Sequence, residues 1–236
     1  MSLLTSSPTT ADLNRDGFAI LNSTLPHAEC DALADELTPL LEQPQQRNKG
    51  GLRNLLRDNS RVAELARSAT LLALVEKFAN APAFPVRAIF FEKNPAANWL
   101  VPWHQDLTIA VVTQIETPGF TGWSVKDGVP HVLPPREILE AMFTVRLHLD
   151  NCTADNGALK VIPRSHVAGI LTAAELQLWK QRDAVTCEVP KGGSLLLRPL
   201  LLHASAPAAN PSHRRVLHLE YATTDLPNGL QWFERA

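Results

Sequence analysis

The chain has 236 residues, 45% of them hydrophobic and 19% charged, which is long enough for one sizeable core and balanced like an ordinary globular protein. A net charge of −2 provides no field to hold phosphate backbones or anionic lipid, and no segment approaches the roughly 20 apolar residues that span a bilayer, so the expected partner is a small molecule rather than nucleic acid or membrane. Residues 1–11 lack a basic start followed by an apolar run, and the three cysteines, Cys30, Cys152 and Cys187, form no CxxC pair; a cytoplasmic protein with free thiols is expected.

Helical periodicity comes first along the chain. Cys30, Leu33, Ala34, Leu37, Leu40 and Leu41 form one apolar stripe, and Val62, Leu65, Leu72, Val75 and Phe78 form a second. From residue 86 onward short β-rich runs dominate, at 86–93, 143–150, 158–162, 185–189, 194–197 and 214–222. One helix interrupts them: Thr172 and Glu175 make an S/T-x-x-E capping box, and the predicted helix buries Leu176 and Trp179. Gly192-Gly193 can adopt the positive φ of a tight turn and predicts a hairpin between 185–189 and 194–197. Residues 107–140, with Phe120, Trp123, Lys126, His131 and four prolines, exceed what a tight hairpin needs. They are expected to form a long loop, either a substrate lid with Trp123 in its wall or a segment anchored to the body by its aromatics. The expected fold class is mostly β with flanking helices: a jelly-roll, cupin-like double-stranded β-helix barrel buttressed by N-terminal helices. Residues 1–236 are expected to form one domain, with a helical buttress over about 1–84 and a jelly-roll core over about 85–222.

Within 143–150 the apolar side is Phe143, Val145, Leu147 and Leu149, whereas Thr144, Arg146, His148 and Asp150 face the other way. The same split recurs where Arg214, Val216, His218 and Glu220 oppose Arg215, Leu217, Leu219 and Tyr221. Such polar faces either point to solvent or line the mouth of a barrel.

Residues 101–106 contain His-x-Asp, Val101-Pro102-Trp103-His104-Gln105-Asp106, and side chains at i and i+2 share one face of an extended strand. An imidazole, a carboxylate and a second imidazole from elsewhere occupy one face of an octahedral ion and leave three positions open, the arrangement suited to Fe(II) oxygen chemistry. Alone, the three-residue pattern is common by chance and reads first as a polar loop. A second signal follows His203, which closes the apolar run 195–202; a turn rich in Pro and Asn precedes Arg214, expected to return beside the histidine on the next strand. A guanidinium there can grip a carboxylate through two parallel charge-assisted hydrogen bonds, as a dicarboxylate cosubstrate requires.

With Arg214 eleven residues beyond His203, this set resembles the phytanoyl-CoA dioxygenase-like family of Fe(II)/2-oxoglutarate oxygenases. Phe91-Glu92-Lys93, Leu149-Asp150, Asp155-Asn156-Gly157-Ala158-Leu159 and Ile162-Pro163-Arg164-Ser165-His166 resemble further family blocks in the same order, over about residues 85–222. The resemblance implies His104, Asp106 and His203 as Fe(II) ligands, Arg214 on the distal carboxylate of 2-oxoglutarate, Ser205 as a hydrogen-bonding helper and Lys93 as a further contact. The chain departs from the family at Arg164, where the turn more often has Gly, and at Arg146, where some members have Trp.

Arg146 is expected either to bind a carboxylate or to form an internal salt bridge with Asp150 or Glu220. His148 and His218 share the polar faces and are candidates to reach substrate, with hydrogen-bonded structural histidines as the alternative. The activity implied is a dioxygenase using Fe(II), 2-oxoglutarate and O₂ to hydroxylate an unactivated C–H bond of a small molecule, with release of succinate and CO₂. It needs no side-chain acid or base beyond the metal ligands. Arg214 argues against a cupin-like metal dioxygenase that works without 2-oxoglutarate, and the intact triad argues against an inactive ligand-binding jelly roll. Structural zinc would want a fourth His or Cys.

Overall fold

The computed structural model describes residues 10–43, 46, 51–210 and 213–236. The chain opens with α1 (Thr10–Asp16), β1 (Phe18–Leu21) and α2 (His27–Leu41), followed by α3 (Leu55–Asp58), α4 (Ser60–Ala66) and α5 (Ala69–Ala79). The first apolar stripe lies on α2, which buries Cys30, Leu33, Ala34 and Leu37. The second is divided between α4 and α5, because the Ser68 hydroxyl accepts from Leu71 N–H and starts a new helix.

Strands β2 (Phe84–Lys93), β3 (Val101–His104), β4 (Ile109–Ala110), β5 (Thr121–Lys126) and β6 (Val129–Leu133) come next. After α6 (Arg136–Glu140) and β7 (Met142–His148) lie β8 (Leu159–Val161) and α7 (Ala173–Trp179). Then come β9 (Val185–Cys187), β10 (Ser194–Leu197), β11 (His203–Ser205) and β12 (Arg214–Ala222). A five-stranded sheet in the order β1-β10-β7-β12-β2 and a four-stranded sheet in the order β3-β11-β8-β9 are the two sheets of a double-stranded β-helix. Paired strands are antiparallel throughout both, and no strand pair joins one sheet to the other among the described residues.

The strand period decides which face each residue serves. Ala88 and Phe90 of β2, Phe143, Val145 and Leu147 of β7, and Leu217, Leu219 and Tyr221 of β12 form one core with the buried residues of α2, α4 and α5. Burying a side chain such as Phe90 there contributes about 2–3 kcal/mol. The opposite face of the same strands turns toward the four-stranded sheet. At one end the space between the sheets is filled by Leu159, Val161, Cys187, Leu195 and Leu197; elsewhere it holds the polar residues. No described helix is long and apolar enough to cross a membrane.

Several expectations are corrected. Residues 107–140 are not a loop: β4, β6 and β5 form a three-stranded sheet in that order, followed by α6. The β5–β6 hairpin turns on Asp127 and Gly128, whose φ values of 50° and 78° fit a two-residue type I′ turn. Gly192-Gly193 does not join a hairpin, since β9 and β10 belong to different sheets. A Cβ on Gly193 would lie 2.7 Å from Leu21 O, so the glycine is required by close backbone approach at a crossover. In α7 the capping box is present, but Leu176 and Trp179 are only half-buried and no residue of the helix is fully buried. His203 does not end the apolar run's strand; it opens β11 in the other sheet.

Candidate metal centre and cosubstrate cavity

His104 is the last residue of β3, and its Cα partner in antiparallel β11 is His203. Two residues beyond the strand, Asp106 is tied by its N–H to Pro199 O at 3.0 Å. The intervening Gln105 points the other way, its amide donating to Gly169 O and Leu200 O while its carbonyl accepts from Leu171 N–H. That staple fixes the strand end and delivers both ligating side chains to one side. Asp106 lies 3.7 Å from His104 Nε2 and 3.6 Å from His203 Nε2 through its two oxygens, and one donor atom from each of the three residues falls within 4.8 Å of the others.

Each imidazole donates Nδ1–H to the backbone carbonyl two residues before it, Pro102 O for His104 and Leu201 O for His203, both at 2.8 Å. This leaves the two Nε2 lone pairs facing Asp106, as metal ligation requires. Burial pushes His203 down to about 4, so its ring is neutral near pH 7. Burial alone would raise Asp106; the imidazoles of His203, His218 and His104 and the Arg87 guanidinium outweigh it and hold the carboxyl at about 2. His203 and Asp106 are therefore in the protonation states a divalent cation needs, and no fourth His, Cys, Asp or Glu joins the cluster among the described residues. A three-ligand set of two imidazoles and one carboxylate fits Fe(II) with open positions and does not close a tetrahedral zinc site.

The triad opens into a cavity of about 540 Å³. Its wall is the inner face of β2, β7 and β12, which resolves the polar-face question in favour of the barrel mouth: Arg146, Arg214, His218 and Glu220 all line it. Three cross-strand pairs face inward in register, Arg214 with Lys93, His218 with Arg146, and Glu220 with Arg87. The last two are complementary. Arg146 donates to His218 Nδ1 at 2.9 Å, so His218 carries its hydrogen on Nε2 and donates to Glu220 at 3.1 Å; Arg87 donates to the same carboxylate oxygen at 3.3 Å.

Arg214 opposite Lys93 is a like-charge pair, which is destabilising unless an anion bridges it. Both are buried, 3% and 1% exposed. Lys93 Nζ donates to Ser205 Oγ at 2.7 Å and Ala206 O at 2.6 Å, and burial, with Arg214 and Arg146 nearby, lowers its pKa to about 8. Ser205 in turn donates to Gly157 O at 2.9 Å. Its single hydrogen is thereby used, so Ser205 holds Lys93. Gly157 has φ 86°, and a Cβ there would crowd Ala206 O at 3.0 Å and Lys93 Nζ at 3.3 Å. Burial, with Arg214 beside it, pulls Arg146 down to about 10, and neither Asp150 nor Glu220 pairs with it: Asp150 binds Arg215 and Glu220 binds Arg87.

A family model described as phytanoyl-CoA dioxygenase matches residues 13–216. The chain belongs to the phytanoyl-CoA dioxygenase family. No curated protein matches it. Among solved structures it is similar to AviO1 from Streptomyces viridochromogenes Tue57, 22% identical over 97% of this chain and 99% of that one, TM-score 0.69. It is also similar to EctD from S. alaskensis with 2-oxoglutarate and 5-hydroxyectoine, 18% identical over 94% and 79%, TM-score 0.69. A third is SnoK, a non-heme alpha ketoglutarate dependent carbocyclase from nogalamycin biosynthesis, 13% identical over 94% and 85%, TM-score 0.71. At these identities the likeness is one of fold. The donor set and the buried cations of the cavity are of the kind that Fe(II) and 2-oxoglutarate would require.

Of the expected site residues, His104, Asp106, His203, Lys93, Arg146, Ser205, Arg214 and His218 all line the one cavity. Trp123 and His148 do not. Trp123 packs half-buried against the core of the third sheet. His148 is buried beside Arg146 and Arg214 with neither ring nitrogen hydrogen-bonded, and burial and those two cations push it well below the ordinary histidine range. Arg164 has φ 69°, a left-handed conformation that a glycine would adopt without strain at this turn. Arg87 and Arg53 are additions to the expected wall. Arg87 shares the face of Ile89, Phe91 and Lys93, a signal present in the strand period; Arg53 has none.

Proposed function

We propose that this protein is an Fe(II)- and 2-oxoglutarate-dependent dioxygenase that hydroxylates an unactivated C–H bond of a small molecule. The observation that carries the reading is the placement of Lys93, Arg146 and Arg214, three buried cations without a carboxylate among them, in the same cavity as an open His-Asp-His triad. Bound iron would supply O₂ activation coupled to the decarboxylation of 2-oxoglutarate to succinate and CO₂.

The chain's own residues bind, orient and exclude water. His104, Asp106 and His203 hold the metal, with the Pro102 and Leu201 carbonyls fixing both imidazole tautomers. Arg214 and Lys93 take the distal carboxylate of 2-oxoglutarate, Ser205 positions Lys93, and Arg146 adds its charge beside them. No acid or base beyond the ligands is required. Neighbours of this fold include an epimerase and a carbocyclase, so the fold alone leaves the outcome at carbon open. Epimerisation returns a hydrogen to the opposite side of the carbon, and no tyrosine or cysteine lines the cavity among the described residues to donate one. That supports hydroxylation.

The test is succinate release from protein supplied with Fe(II), 2-oxoglutarate and ¹⁸O₂ in the presence of candidate substrates. Succinate accompanied by one labelled oxygen in the product is the expected result. Substrate-coupled succinate with an unlabelled product would replace hydroxylation by epimerisation or cyclisation, and no succinate under any condition would sink the reading.

A further inference from the structure

We propose that the mouth of the cavity is a subsite for an anionic oxygen group of the substrate, a carboxylate or a phosphate ester, held by Lys126, Arg53 and Arg87. The inference deepens the proposed function and rests on its assignment of the deeper cations to 2-oxoglutarate. The cavity wall carries six cationic side chains and two carboxylates, an excess of four positive charges. Loading does not remove it, because the two charges of Fe(II) and the two of 2-oxoglutarate cancel. The excess is divided between two places. Lys93, Arg146 and Arg214 are buried on the inner strand faces. Lys126, Arg53 and Arg87 gather where the wall reaches solvent, Lys126 being exposed on β5 beside the hairpin turn.

The outer cations lie close together: burial lowers Lys126, and Arg87 and Arg53 lower it further. Burial likewise lowers Arg53, with Arg87 adding to the effect. Their geometry is held by the fold. Arg87 is fixed by Glu220 and by His131 Nε2 at 3.5 Å, Arg53 pairs with Asp127 at 3.6 Å, and Lys126 Nζ donates to Thr108 Oγ1 at 3.1 Å. Of the carboxylates at hand, Glu220 is shared with His218 and Asp127 lies in the hairpin turn outside the cavity lining. Among the described residues, the hydrogen-bond partner of Lys126 is a neutral hydroxyl and not a carboxylate. A substrate anion seated there would neutralise the cluster and leave its apolar part facing the triad.

The experiment titrates the anaerobic Fe(II) protein calorimetrically, first with 2-oxoglutarate and then, at saturating 2-oxoglutarate, with hexanoate, hexyl phosphate and hexanol. Binding of at least one anion about tenfold more tightly than hexanol is expected, as for a charge-assisted contact against none. Lys126→Gln and Arg53→Gln should each weaken that anion about tenfold while leaving 2-oxoglutarate affinity in place. A preference for hexyl phosphate or for hexanoate assigns the group. Equal binding of hexanol, absence of anion binding, or anion affinity untouched in both variants would overturn the subsite. Failure of the underlying reading is seen separately, as absence of 2-oxoglutarate binding in the first titration or 2-oxoglutarate affinity insensitive to Arg214→Met.

Discussion

Replacing Arg214 by Met keeps most of the aliphatic stem in its buried place on β12 and removes the guanidinium alone. Arg214 sits opposite Lys93 in register, and neither pairs with a carboxylate among the described residues. Two charge-assisted hydrogen bonds to the distal carboxylate of 2-oxoglutarate, each contributing about 1.5–3 kcal/mol, set the loss at no less than about 3 kcal/mol, on the order of a 100-fold rise in Kd. A second effect has the opposite sign. Without the opposing cation, Lys93 is relieved of repulsion and its pKa rises from about 8, so the ligand-free variant should melt no lower than the parent. Iron affinity should not change, since Arg214 touches none of the three ligands. Calorimetry of the anaerobic Fe(II) protein measures the first effect and thermal melting of the metal-free protein the second. Equal 2-oxoglutarate affinity in variant and parent would refute the cosubstrate assignment, and loss of iron binding would refute the separation of the two sites.

The affinity for 2-oxoglutarate should also depend on pH through Lys93. It should be level below about 8 and fall above it as the buried ammonium loses its proton, whereas Lys93→Met should bind more weakly and show no such fall. Glu234 predicts a pH dependence of stability. Burial raises it to about 7 from 4.5 despite N–H groups of Leu56 and Ala88 donating to it, so the native state holds a proton that the unfolded chain has released. Its contribution is complete below 4.5 and is lost as pH rises through about 7, and urea unfolding should show stability declining over that window, with a flatter profile for Glu234→Gln. At Gly128, φ is 78° and a Cβ would meet nothing within 4 Å, so the strain is purely conformational. Gly128→Ala should cost about 1 kcal/mol of unfolding free energy, and no loss would show that the β5–β6 turn can adopt another conformation.

What the sequence makes legible here follows from period. Alternation in β7 and β12 places Arg146, His218, Arg214 and Glu220 on one face, and the strand-like i, i+2 spacing puts His104 and Asp106 together. The sequence does not say that His203 lies opposite His104, because register between distant strands is set by the tertiary pairing of β3 with β11. A near miss is the Asp127-Gly128 dipeptide, a strong hairpin signal lost among the prolines of residues 107–140. Gly192-Gly193 misleads for the converse reason: Gly192 does take the positive φ of a tight turn, with Gly193 N–H donating to Pro190 O at 2.9 Å, but that turn serves a crossover between sheets, where Gly193 also approaches Leu21 closely. The exposure of α7 is likewise illegible, since Leu176 and Trp179 are spaced to be buried but no element lies against them closely enough to cover them. Lys126 and Arg53 reach the cavity from the third sheet and from the segment before α3, and only the tertiary structure brings them together.

The central claim is that His104, Asp106 and His203 hold one Fe(II) to which 2-oxoglutarate adds. Anaerobic titration of the metal-free protein with Fe(II), followed by absorption spectra on addition of 2-oxoglutarate, tests it most directly. The account predicts one iron per chain and a saturable, 2-oxoglutarate-dependent change in iron absorption, both lost in Asp106→Ala and in His203→Ala while the fold persists. Iron bound with unchanged stoichiometry in those variants, or a spectrum indifferent to 2-oxoglutarate, would contradict it.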